Sequence, residues 1–176
     1  IVEFAGDGLR VNIDLQEDFS LNHALSLYLL DAVSVLEKSS ETYALDVLTL
    51  VEAILENPDL VLRKQLDRVK TEKMAEMKAA GIEYDERIAE LEKLDYPKPL
   101  KEFIDESFRV FVDRHPWVAA ESIRPKSIAR EMYALLMTFP EYVRDYELQR
   151  AEGLLLRYLS DVYRALAHTV PMQAKT

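Results

Sequence analysis

Three arginines, Arg150, Arg157 and Arg164, recur at intervals of seven near the end of the chain. Seven residues are nearly two helical turns, so on a continuous helix the three guanidinium groups fall along one face. Gly153, Ser160 and His168 lie on or beside that stripe, while Leu155, Leu159, Val162 and Leu166 line a different face and read as core. A helix with a leucine seam on one side and an arginine row beside a backbone-exposing glycine can track a polyanionic strand. The same row also reads as a solvated helix face whose arginines pair with carboxylates such as Asp161, a pairing of small energetic consequence at a surface. A second cationic cluster, Arg124-Pro125-Lys126-Ser127, stands where a helix is expected to begin. Free backbone N–H groups at a helix start favour anions, so Arg124 and Lys126 are candidate phosphate contacts; the alternative is a capped helix start with surface bases.

Catalytic signals are poor. Glycine occurs at positions 6, 8, 81 and 153, which permits neither a GxxxxGK[ST] phosphate loop nor a GxGxxG turn. No HExxH or ExxH pair is present, and the histidines at 23, 115 and 168 are far apart. Without cysteine there is no thiolate nucleophile, disulfide or thiolate metal site. Glu52 and Glu56, four apart on a helix, read as an exposed acidic face, as do Glu72 and Glu76. Asp105-Glu106-Ser107-Phe108 lies in a helical pattern, whereas a magnesium-binding DExx box follows a buried strand. Trp117 beside Pro116 reads as a core anchor at a helix junction, with base stacking as the alternative. His115 reads as packing or capping. No catalytic residue, metal ligand or cofactor site is expected within the chain.

The elements that must position these residues are mostly helical. The chain has 176 residues, 49% of them hydrophobic and 31% charged, with four glycines, a composition for one folded domain. Residues 1–13 alternate loosely around Gly6-Asp7-Gly8 and predict a short β-hairpin. Thirteen residues make no stable sheet alone, so residues 1–19 are expected to be a hairpin and connector to an upstream domain. Residues 20–176 are expected to form an all-α, multi-helix bundle. Ser20 caps a helix through Leu25, Tyr28, Leu29, Ala32, Val33 and Leu36, and Ser40-Glu41 opens a second through Leu48, Val51 and Leu55. Asn57-Pro58 starts a long polar helix that runs to Ala80 and stops at Gly81. Its thin apolar stripe predicts that it projects or packs along one edge, so residues 58–80 are a candidate docking surface for a protein partner. Further helices are expected over 85–94, from Leu100 to Phe111, from Ile128 to Leu135, and over 141–146. The chain begins Ile1-Val2-Glu3 and reads as a piece of a longer protein. No apolar run of membrane-spanning length occurs, and a cytoplasmic location is expected.

The net charge is −10, unevenly spread. Residues 1–120 carry 14 basic and 25 acidic side chains, against 8 and 7 in residues 121–176. A polyanion contact therefore belongs in the last third, and the acidic remainder weakens it.

Several segments together resemble the C-terminal region of bacterial DEAD/DEAH-box helicases of superfamily 2, which carry a helical domain of uncharacterised function behind the motor. They are Glu17–Asn22, Gly81–Arg87, Tyr96-Pro97-Lys98-Pro99-Leu100, His115-Pro116-Trp117-Val118, Arg124–Ser127 and Glu152–Leu159, in order over almost the whole chain. The last two are also similar to the C-terminal helical domain of exosome-associated RNA helicases, where a glutamate-glycine pair followed four residues later by arginine starts a channel-lining helix. The resemblance places that role on Glu152, Gly153 and Arg157, with Arg164 on a further turn. It implies an accessory domain of an ATP-dependent RNA or DNA helicase, packed on RecA-like motor domains of the same polypeptide and guiding a single strand. ATP and Mg2+ would belong to that motor, since this chain has neither RecA domain. It departs from the exosome-associated pattern in its acidity and in carrying only tyrosines near Arg157. A helical protein-interaction module without nucleic-acid contact is the alternative.

Overall fold

The structure, a computed structural model, describes residues 2–5, 8–11, 23–118 and 123–168, with side chains described from residue 25 onward. Two four-residue strands, β1 (Val2–Ala5) and β2 (Gly8–Val11), pair antiparallel with Val2 opposite Val11. The turn expected at Gly6-Asp7, the connector over 12–19 and the cap expected of Ser20 lie outside the described residues. All other regular structure among the described residues is helical.

Among the described residues eight α-helices follow: α1 (His23–Val35), α2 (Tyr43–Ala53), α3 (Asp59–Ala79), α4 (Tyr84–Glu92), α5 (Lys101–Arg114), α6 (Ala129–Ala134), α7 (Phe139–Asp145) and α8 (Glu152–His168). A 3-10 turn, Pro116–Val118, closes α5. Local chemistry accounts for the ends. Pro58 precedes the first residue of α3, and Gly81, at φ +71, takes the left-handed conformation just past its C-terminus. Thr138 and Glu141 form a capping box at the start of α7: the carboxylate Oε2 accepts from the Thr138 N–H at 2.8 Å and from its hydroxyl at 2.7 Å.

The core runs through α1, α2, α5, α7 and α8, where Leu29, Leu50, Val51, Ile104, Tyr142 and Leu155 are fully buried. Helix α1 meets α5 through Tyr28, whose hydroxyl lies 2.9 Å from Ser107 Oγ and whose ring meets Phe108 and Phe111 edge-on. Burial pushes this phenol up to about 12. Helix α2 is central and packs on α1, α6 and α8. Helix α3 buries Val61, Leu62, Gln65 and Met77 and carries its charges outside, where Arg68 pairs with Glu72 and Lys73 with Glu76. It packs on α4 beyond Gly81. Among the described residues no helix is long and apolar enough to cross a membrane.

Candidate nucleic-acid interface

Helix α8 is the most sharply two-faced element of the bundle. Leu155, Tyr158, Val162 and Ala165 point inward, while Gly153, Arg157, Ser160 and Arg164 stand on the outer side. The buried seam is rotated from the one expected: Tyr158 and Ala165 replace Leu159 and Leu166, which are half-buried on its flank. Both apolar sets satisfy helical spacing, and Tyr158 is drawn in by a buried hydrogen bond to Glu52.

Arg157 and Arg164 share one wall of an open cleft of about 550 Å3 with Leu154, Tyr158 and Asp161. The opposite wall is the segment Ile54-Leu55-Glu56-Asn57-Pro58, which joins α2 to α3. Two guanidinium groups and two carboxylates therefore face an apolar floor. Arg164 Nη1 lies 3.9 Å from Asp161 Oδ1, the outer limit of an ion pair. Arg157 forms no ion pair among the described residues and is exposed. Two helical turns put the pair about 10 Å apart along the helix axis.

The other expected contacts do not line this cleft. Arg150 is exposed but sits in the turn before α8, which begins at Glu152, so the row on the helix consists of Arg157 and Arg164. Glu152 and Gly153 are exposed in the first turn, and a Cβ at Gly153 would meet nothing within 4 Å. Arg124 is exposed, and its N–H donates to Ala53 O at 3.1 Å.

Of the expected phosphate contacts Arg124 and Lys126, the packing withdraws Lys126 from the surface. Lys126 is fully buried; its Nζ donates to Leu55 O at 2.8 Å and Arg124 O at 3.0 Å, and burial pulls its ammonium down to about 8. The N–H groups at the start of α6 are occupied by an internal anion. Glu52 Oε1 accepts from Ile128 N at 2.7 Å and Ala129 N at 2.9 Å, and Oε2 from Arg130 N at 3.0 Å. Tyr158 completes the set, donating its hydroxyl to Oε1 at 3.0 Å. Glu52, expected on an exposed acidic face, is thus the anchor of the bundle's interior. Burial pushes its carboxyl up and the four donors oppose that shift. Arg130 turns back to α2, donating to Asp46 Oδ1 at 2.8 Å and Thr49 Oγ1 at 2.7 Å. The signal for Glu52 was present: it is the one ionisable residue in the apolar run Val47–Leu55.

Trp117 is a second correction. It is 70% exposed rather than a core anchor, because Val118 takes the buried place in the 3-10 turn. His115 stacks on Phe111 at 4.2 Å and meets the Trp117 ring edge-on at 5.0 Å. Among the described residues no group of three or more histidines and carboxylates is arranged to hold a metal ion.

A family model described as a domain of unknown function, DUF3516, matches residues 2–176. The chain belongs to the DUF3516 family. No curated protein and no solved structure matches it. The match covers the paired strands and every helix of the bundle, so the cleft along α8 and the buried Glu52 cluster both lie inside the DUF3516 domain.

Proposed function

We propose that this DUF3516 domain is the accessory helical domain of an ATP-dependent helicase and helps guide single-stranded RNA or DNA past α8. The observation that carries the reading is the pair of exposed arginines, Arg157 and Arg164, on one wall of the cleft with Arg157 unpaired. A surface arginine without an ion-pair partner, such as Arg157, is a usual contact for phosphate. The resemblance to superfamily 2 helicases, including Glu152, Gly153 and Arg157, supplies the setting: RecA-like domains of the same polypeptide bind ATP and Mg2+, and the hairpin of β1 and β2 joins the bundle to them. Two carboxylates in the cleft and the acidic remainder of the chain keep the isolated domain's affinity low. Exposed Arg150 and Arg124 add cationic surface on this side of the sequence, and Trp117 offers an aromatic face to a base.

Zero-length photocrosslinking to 4-thiouridine RNA, mapped by mass spectrometry, tests the reading directly. Crosslinks should concentrate between Arg150 and Arg164. Crosslinks scattered over the acidic first two thirds would sink it.

A groove of about 540 Å3 between α3 and α4, lined by Lys70, Met74, Lys78 and Leu91 among others, supports the second reading, a docking surface for a protein partner. That reading requires substitutions along α3 to abolish a partner's binding while Arg157→Ala does not.

A further inference from the structure

The strand-guiding reading rests on the outer wall residues of the cleft, yet nothing in it uses Glu52, whose carboxylate is buried. Glu52 leaves α2 two residues before Ile54, the first residue of the far wall. Its Oε1 accepts from Tyr158 on α8, which lines the cleft itself and is the chain neighbour of Arg157. The same oxygen holds Ile128 N and Ala129 N, and Oε2 holds Arg130 N. The segment so gripped reaches back to the far wall at two points. Lys126 Nζ donates to Leu55 O at 2.8 Å, and Arg124 N to Ala53 O at 3.1 Å. One side chain thereby ties both the start of α6 and α8 to α2, and the link between α2 and α6 closes on itself through Lys126 and Arg124. The tie from the α8 wall to this network is the Tyr158 hydroxyl.

We infer that Glu52 is a positioning residue: acting through Tyr158, it fixes the separation of the two cleft walls and so sets where Arg157 stands relative to Glu56 and Pro58. The ligand class it serves is the single-stranded polyanion proposed above, and the inference rests on that reading for its purpose, though not for its geometry. Buried polar networks that are fully satisfied hold one arrangement against alternatives, whereas apolar packing alone tolerates sliding. A carboxylate shared between a helix start and a phenol is such a network, and Glu52 has a donor on each oxygen with none left over.

Two variants separate this role from stability. Glu52→Gln keeps the shape but loses the charge and can fail to fold. Tyr158→Phe removes one hydroxyl from an otherwise unchanged ring and keeps the question open if it does. The chain has no cysteine, so spin labels can be placed at Asp59→Cys and Ser160→Cys, one on each side of the cleft, without background. Pulsed EPR on the full chain should show a single narrow distance that broadens in Tyr158→Phe while the helical circular dichroism is retained. A distribution as narrow as the parent's overturns the inference, with no ligand involved.

Binding of fluorescein-labelled oligouridine then addresses purpose. Tyr158→Phe should weaken it about fivefold, the worth of one hydrogen bond, and should add nothing in an Arg157→Ala background. Additive losses overturn the positioning role, since a merely structural defect ignores what stands at 157. If Arg157→Ala binds as the parent does, the strand-guiding reading fails, and the EPR result alone decides whether Glu52 sets the walls.

Discussion

Two groups of cations in this chain are alike in sequence and opposite in structure. Arg124, Lys126 and Arg130 stand at the start of α6, and Arg157 and Arg164 stand along α8; both clusters neighbour small or hydroxyl residues. At α6 the interior has consumed two of the three charges and left Arg124 exposed: Lys126 donates to two carbonyls, Arg130 pairs with Asp46, and the helix N–H groups are held by Glu52. Along α8 the guanidiniums face an open cleft and Arg157 has no partner among the described residues. The difference teaches that a cation's neighbours in sequence say little about its availability. What decides is whether an internal acid lies within reach, because burying a lone charge costs far more than pairing it.

The widest gap between the two regions should open on substitution of Glu52. Glu52→Ala leaves three N–H groups and the Tyr158 hydroxyl without an acceptor in the interior, and should cost about 3–5 kcal/mol in chemical denaturation. A loss below about 1 kcal/mol would mean the buried network is dispensable and the contrast illusory. Leu155→Ala, in the fully buried seam of α8, should cost about 2–5 kcal/mol, and half-buried Leu159→Ala distinctly less. Equal losses would return the seam to the position that sequence spacing suggested.

Lys126 gives the comparison a pH axis. Its ammonium titrates near 8 when folded and near 10.5 when unfolded, so the unfolded chain holds more protons between those values. Stability owed to this group therefore rises as pH climbs from 8 towards 10.5 and is lost as pH falls back through 8. Lys126→Met removes that gain, about 3 kcal/mol at most, and the difference in melting temperature between parent and variant should widen in the parent's favour over that window. A difference that does not change with pH would place Lys126 in contact with water. Arg157→Ala sits at the other end of the scale, with a stability change within about 0.5 kcal/mol.

The helical bundle was legible because its apolar residues repeat at helical spacing and its breaks carry Pro58, Gly81, Pro97 and Pro99, each with a local mechanism. The rotation of the α8 seam was not legible. Tyr158 and Leu159 are adjacent and both apolar in bulk, and only a carboxylate 106 residues away selects the tyrosine. The inward turn of Lys126 has the same origin, since its acceptors Leu55 O and Arg124 O are brought together by packing that local spacing does not encode. Trp117 is exposed, against expectation, because a three-residue turn can present either Trp117 or Val118 to the core. The arginines of α8 were legible as a row but not as a cleft, whose other wall comes from Ile54–Pro58, about a hundred residues earlier.

The central claim is that Arg157 of α8, unlike Lys126 and Arg130 at α6, stands open to a polyanion. Its most direct test is the salt dependence of oligouridine binding to the full chain and to Arg157→Ala. Loss of one phosphate contact should lower the slope of log affinity against log salt by about 0.7. An unchanged slope in Arg157→Ala would contradict the account.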